Sequence, residues 1–130
     1  MKKIEVIMEA LENVNLSDIE IYDMSEKSPF FDYLVISSAT SDRQLQAAVN
    51  HIQKDLVENN YEPARIEGKN SNSWILVDAK EIVVNVFTKE EREYYNLEKM
   101  LVEINKVDIT ELKWYMTSLH HITIYLSMIV

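Results

Sequence analysis

The sequence predicts an α/β domain, a mixed β-sheet with helices packed on it. Two amphipathic helical stretches, at 2–13 and 41–58, are interleaved with short apolar runs at 33–37, 74–77 and 82–87. Two of those runs lead directly into a Ser/Thr-x-x-Gln/Glu signature, so a strand hands over to a capped helix twice. A chain of 130 residues, 47% of them hydrophobic, fits one domain with its own core.

The elements follow in order. Ile4, Ile7, Met8 and Leu11 recur at i, i+3, i+4 and i+7, which predicts a helix over 2–13 ending near Asn13 and Asn15. Asp18 to Asp23 alternates polar and apolar, with Ile19 and Ile21 on one face of a half-buried strand. A loop follows at 25–29, because Pro29 keeps Ser28 out of helical geometry. Tyr33 to Ser37 is nearly all apolar and reads as a central strand covered on both faces. Ser41-Asp-Arg-Gln44 opens a helix to about Glu58, with Leu45, Ala48, Val49, Ile52 and Leu56 as its buried stripe. Arg65 to Glu67 is a short strand, and the chain's single glycine, Gly68, opens a polar loop. Trp74 to Val77 and Ile82 to Phe87 form a hairpin around 78–81. Thr88-Lys-Glu-Glu91 caps a last helix to about Leu101, and a short turn or helix follows at 108–112.

Charge and composition narrow the function. A formal net charge of -9 argues against a partner gripped through phosphates and favours a basic protein partner or a self-repelling soluble surface. The absence of cysteine excludes disulfides, thiolate catalysis and Cys-type zinc sites, and makes a reducing cytosol the expected compartment. The first residues carry Lys2, Lys3, Glu5 and Glu9, without the uncharged core of a secretion signal.

Five stretches carry a family resemblance. Asp32-Tyr-Leu-Val-Ile-Ser-Ser-Ala-Thr-Ser-Asp-Arg-Gln44 is similar to the strand–turn–helix of the Iojap-related ribosomal silencing factor family (RsfS). Trp74-Ile-Leu-Val-Asp78, Ile82-Val-Val-Asn-Val-Phe87 and Glu90-Glu-Arg-Glu-Tyr-Tyr-Asn-Leu-Glu98 resemble its C-terminal core. Val107 to Leu112 resembles its usual ending, so the resemblance spans 1–113 and leaves 114–130 as an apolar extension. It implies a nucleotidyltransferase-like fold without transferase activity or cofactor. It also implies binding to the large ribosomal subunit through the L-fourteen-type protein, sterically blocking the small subunit and repressing translation. This chain departs from the family at Ala39 and Lys80, where glycine is common, and at Asn85, where histidine is common.

The residues expected to meet a partner are Trp74, Asp78, Asn85, Phe87, Glu91, Arg92, Tyr94, Tyr95 and Glu98. In a continuous helix, Tyr94, Leu97 and Leu101 form a stripe against the sheet, while Glu91, Tyr95 and Glu98 face outward. Tyr95 then supplies contact area, and Glu91 and Glu98 meet basic groups. Tyrosines of this kind also cap a core with wet hydroxyls, and Asn85 also reads as a hydrogen-bonded sheet asparagine. Arg92 is expected to bridge Glu91 or a partner group, or to stay solvated.

Two alternatives come from other classes. Asp18 and Glu20, at i and i+2 on a strand, put two carboxylates on one side, the arrangement a divergent nucleotidyltransferase uses for magnesium. The bland account is a solvated strand face. His51, His120 and His121 lack ligand spacing, so no metal site is expected. Residues 114–130 hold no charge and eleven apolar residues in seventeen. That is too short and too polar for a membrane span, but strand-like enough to pair a sheet edge in this chain or in a homodimeric scaffold.

Overall fold

The structure, a computed structural model, describes residues 1–109. The apolar extension at 114–130, with His120 and His121, and the end of the expected 108–112 turn lie outside the described residues. The elements are α1 (Lys3–Asn13), β1 (Ser17–Asp23), β2 (Tyr33–Ala39), α2 (Asp42–Glu58), β3 (Arg65–Glu67), β4 (Trp74–Asp78), β5 (Ile82–Thr88), α3 (Lys89–Tyr95) and a 3-10 helix (Leu97–Leu101). The five strands form one mixed sheet in the order β1-β2-β5-β4-β3. β2 and β5 run parallel, while the other neighbours are antiparallel. This is the mixed α/β architecture read from the sequence. β5, rather than β2, is the middle strand.

Alternation along β4 and β5 sets the two faces of the sheet. Ile75, Val77, Val84 and Val86 point to the side covered by α1 and α2, where they meet Ile7, Leu11, Leu45, Ile52 and Leu56. The opposite side carries a smaller cluster: Tyr22, Ile36 and Phe87 under Leu101, with Leu97 and Ile104 packed against it. Both faces of β1 are therefore covered at Ile21 and Tyr22, each 1% exposed, whereas the sequence suggested a strand covered on one face.

Asparagine ends the helices, since Gly68 is the chain's single glycine. After α1, Asn15 takes φ 58°, the Leu16 N–H bonds the Leu11 carbonyl and the Asn15 N–H bonds that of Glu12. Asn60 closes α2 in the same way at φ 66°. Asn96, at φ 48°, stops α3 at Tyr95, so the single helix expected to reach Leu101 is instead a seven-residue helix, a bend and a 3-10 turn. Ser41 caps α2, but Gln44 reaches back to Thr40, where its Oε1 accepts from the backbone N–H at 2.6 Å. The Gln44 amide also donates to the carbonyls of Val14 and Asn15, tying the start of α2 to the end of α1.

The family departures have local answers. Ala39 lies in the extended ladder opposite Thr88 and needs no glycine. Lys80 keeps the left-handed turn at φ 69°, and its N–H bonds Asp78 Oδ1 at 3.0 Å.

Candidate functional surface

The surface grows from the C-terminal end of β5. Phe87 is fully buried, and its ring stacks on Trp74 with centroids 4.8 Å apart and planes 26° from parallel. Trp74 and Phe87 are partners across the β4–β5 ladder, so the pair is fixed by backbone register. Tyr95 lies 4.8 Å from the Trp74 ring, and Tyr94 meets Tyr95 edge-on at 5.3 Å. The result is a graded aromatic stack, from a sealed ring to Tyr95 at 48% exposure and Tyr94 at 81%. Met100 and Val102 are exposed beyond the bend.

This reverses the expected roles of the two tyrosines. A continuous helix predicts Tyr94 on the buried stripe and Tyr95 on the outward one, yet Tyr95 packs on the Trp74 ring and Tyr94 is the more exposed of the two. The 3.6-residue phase does not continue past the left-handed Asn96, so the stripes extrapolated through it do not exist. Leu97 and Leu101 still reach the apolar cluster, from the 3-10 turn.

Arg92 is also placed differently. Its side chain is only 11% exposed and turns inward. Nε donates to Glu98 Oε1 at 2.6 Å, and Nη1 donates to the Asp18 carbonyl at 2.6 Å and to Ser38 Oγ at 2.8 Å. Nη2 lies 3.7 Å from Glu20 Oε2. Arg92 and Glu98 are six residues apart, outside the i, i+3 and i, i+4 spacings of a continuous helix; the bend brings them together. Glu98 is thus engaged in an ion pair within the chain, whereas a continuous helix would face it outward toward basic groups.

Glu20 completes the network. Its Oε2 accepts from the Tyr22 hydroxyl at 2.5 Å, and its Oε1 accepts from Lys106 Nζ at 3.1 Å. Burial opposes its ionisation, but the bonds from Tyr22 and Lys106 and the charges of Lys106 and Arg92 outweigh that and hold its pKa below the ordinary range. Burial, then the bond to Glu20, pushes the Tyr22 hydroxyl up. Both Glu20 oxygens are engaged by donors of the chain itself. Asp18 sits in a register shift of β1 at φ 48°, so the regular i, i+2 geometry assumed for a carboxylate pair is not kept. No metal-holding group of three or more His, Asp or Glu occurs among the described residues.

The remaining expected residues make hydrogen bonds within the chain. Asn85 is 3% exposed; its Oδ1 accepts from Trp74 Nε1 at 3.0 Å and its Nδ2 donates to the Val35 carbonyl at 3.4 Å. It is a sheet asparagine that orients the indole, and neither it nor Phe87 reaches the surface. Asp78 builds the β4–β5 turn through Lys80. Glu91 is half-buried on the first turn of α3, whose Thr88 cap accepts from the Glu91 N–H at 3.4 Å. Sequence reasoning missed Ser38, Tyr22 and Lys106. The partners of Ser38 and Lys106 lie far off in sequence, 54 residues for Ser38 and Arg92 and 86 for Lys106 and Glu20, so no local pattern marks those two, whereas Tyr22 bonds Glu20 two residues away on the same strand.

Comparison with known proteins agrees with this architecture. The family model described as "Ribosomal silencing factor during starvation", RsfS, matches residues 1–121. The Ribosomal silencing factor RsfS of Bacillus subtilis is 37% identical over 97 residues, covering 75% of this chain and 82% of that protein. The mouse Mitochondrial assembly of ribosomal large subunit protein 1 is 33% identical over 100 residues, covering 75% of this chain and 44% of that protein. A crystal structure of a Chromobacterium violaceum protein superposes with a TM-score of 0.71 at 33% identity, covering 77% of this chain and 86% of the other. The matched core includes the strands and helix that build the aromatic stack, and the chain belongs to the ribosomal silencing factor family.

Proposed function

We propose that this chain binds the large ribosomal subunit in the cytosol and represses translation by occupying the space the small subunit needs, making and breaking no bond. Family membership supports the ribosomal partner, and so does the name of the mouse relative, a mitochondrial protein of ribosomal large subunit assembly. The observation that carries the contact assignment is the aromatic stack: Tyr95 packs on the ring of Trp74, itself stacked on buried Phe87, and Tyr94 meets Tyr95 edge-on, while Met100 and Val102 are exposed in the segment that follows. Aromatic area held in place loses little entropy on binding, which is why tyrosine and tryptophan dominate binding energies at interfaces. Glu90 and Glu93, exposed on α3, suit a basic ribosomal protein such as the L-fourteen-type protein the resemblance implies. Within the expected set, Trp74, Tyr94, Tyr95 and Glu91 form the contact rim, while Asn85, Phe87, Asp78, Arg92 and Glu98 hold it in shape.

Tyr94→Ala combined with Glu93→Lys is the clean test, because both positions are exposed. Co-sedimentation with purified large subunits should weaken at least tenfold, with the far-UV spectrum unchanged. Undiminished co-sedimentation refutes the surface. The enzyme alternative finds no support in Glu20, whose oxygens are held by Lys106, Tyr22 and Arg92.

A further inference from the structure

The segment between Arg92 and Lys106 carries Tyr94, Tyr95, Met100 and Val102, four of the large hydrophobic side chains most exposed among the described residues. It contains a left-handed residue, a 3-10 turn and little regular hydrogen bonding. Its apolar anchorage is Leu97, Leu101 and Ile104 on the small cluster. A segment with so few buried contacts opens readily unless its ends are tied down.

Both ends are tied to the same carboxylate. At the entry, Arg92 Nη2 lies 3.7 Å from Glu20 Oε2; at the exit, Lys106 Nζ lies 3.1 Å from Glu20 Oε1. Backbone bonds follow the exit tie: Asp23 N–H to the Asn105 carbonyl at 2.9 Å and Val107 N–H to the Ile21 carbonyl at 2.8 Å, which lay 105–107 along the free edge of β1. Arg92 is held at the entry also by the shorter bonds of Nη1 to Ser38 Oγ at 2.8 Å and to the Asp18 carbonyl at 2.6 Å, the latter at a β1 irregularity with Asp18 at φ 48°. An aspartate held in that backbone region needs compensation, and the guanidinium bond supplies it. Tyr22 fixes the Glu20 carboxylate from below.

We infer that Glu20 is a positioning residue, a two-handed clasp that closes the 93–105 segment against β1 and sets how the tyrosine surface is presented. The inference rests on the surface proposed above, but its first readout does not depend on it. The carboxylate acts at a distance from any partner, through Arg92 and Lys106.

The test is native-state amide exchange of the full chain, followed by affinity for purified large subunits. Glu20→Gln keeps the shape and removes the charge. The amides of Asp23, Lys99, Ile104 and Val107 should exchange at least tenfold faster, while those of α2 and β5 keep their rates. Affinity should fall about tenfold. Lys106→Met, at an exposed position, should speed Asp23 and Val107 in the same way and decides the matter if Glu20→Gln does not fold. The double variant should add little to Glu20→Gln alone. Unchanged exchange overturns the clasp, as does uniformly faster exchange, which would make Glu20 an ordinary contributor to global stability. Faster local exchange with undiminished affinity, where Tyr94→Ala with Glu93→Lys abolishes binding, overturns its role in presentation. If that surface variant also binds like the wild type, the surface proposal falls and the exchange pattern alone judges the clasp.

Discussion

Asn85 gives the sharpest test of how the aromatic surface is anchored. Its side chain is 3% exposed and makes one good bond, from Trp74 Nε1 at 3.0 Å, and one long bond, to the Val35 carbonyl at 3.4 Å. Replacing it by leucine removes both bonds and a desolvated amide together, leaving the indole N–H of the half-buried Trp74 without its Asn85 acceptor. The expected cost is about 1 kcal/mol, the net value of one hydrogen bond. Alanine loses the same bond and adds a cavity between Phe87 and Ile36, about 2–3 kcal/mol in all. Asn85→Asp differs in kind: the introduced carboxylate keeps the acceptor for Trp74 but turns a lone pair toward the Val35 carbonyl and buries a charge. Burial raises such a carboxyl's pKa by several units, so about 3–5 kcal/mol is lost at pH 7. The sign follows from linkage. A folded pKa above the unfolded one means the penalty is full at neutral pH and shrinks as the solution is acidified toward the unfolded pKa near 4. Urea unfolding followed by far-UV circular dichroism at pH 7 and pH 5 measures all three variants. Asn85→Asp within 1 kcal/mol of the parent at pH 7 would refute the burial of this position. A leucine variant losing more than about 3 kcal/mol would show that the amide does more than orient Trp74.

Two further outcomes are expected. Gly68 has φ 78°, and a Cβ there would lie 2.8 Å from the Trp74 carbonyl, so Gly68→Ala should cost about 2 kcal/mol and lower Tm by several degrees; an unchanged melting curve contradicts this geometry. The stability difference between the parent and Glu20→Gln should be constant from pH 7 to pH 5. Glu20 titrates below its ordinary 4.5 in the fold, facing Arg92, Lys106 and Tyr22, so its contribution is complete above the unfolded pKa and disappears as pH falls through the folded one. A difference that grows on acidification contradicts the clasp's electrostatics.

Much of the fold was legible because it rests on local periodicity. The stripe Leu45, Ala48, Val49, Ile52 and Leu56 is the buried face of α2, and the apolar runs at 74–77 and 82–87 are the paired strands β4 and β5. These patterns are dictated by helix and strand geometry, which neighbouring residues alone determine. The same logic failed at Asn96. A single residue in the left-handed region resets the helical phase, and its neighbours, Tyr-Tyr-Asn-Leu-Glu, read equally well as an uninterrupted helix.

What the sequence determined by itself was the order of the strands and of the helices up to β5, the buried faces of α1 and α2 and, through short family-like stretches, the family. What only the tertiary structure decided was which tyrosine is presented, why Asn85 is buried and where Arg92 points. The reason is range. Arg92, Glu20, Ser38 and Lys106 come from four separate segments, and their ion pairs and hydrogen bonds exist only because β1, β2 and the end of β5 are neighbours in the sheet. A charge in sequence carries no sign of whether it will be solvated or used as a tie. That choice belongs to the packing.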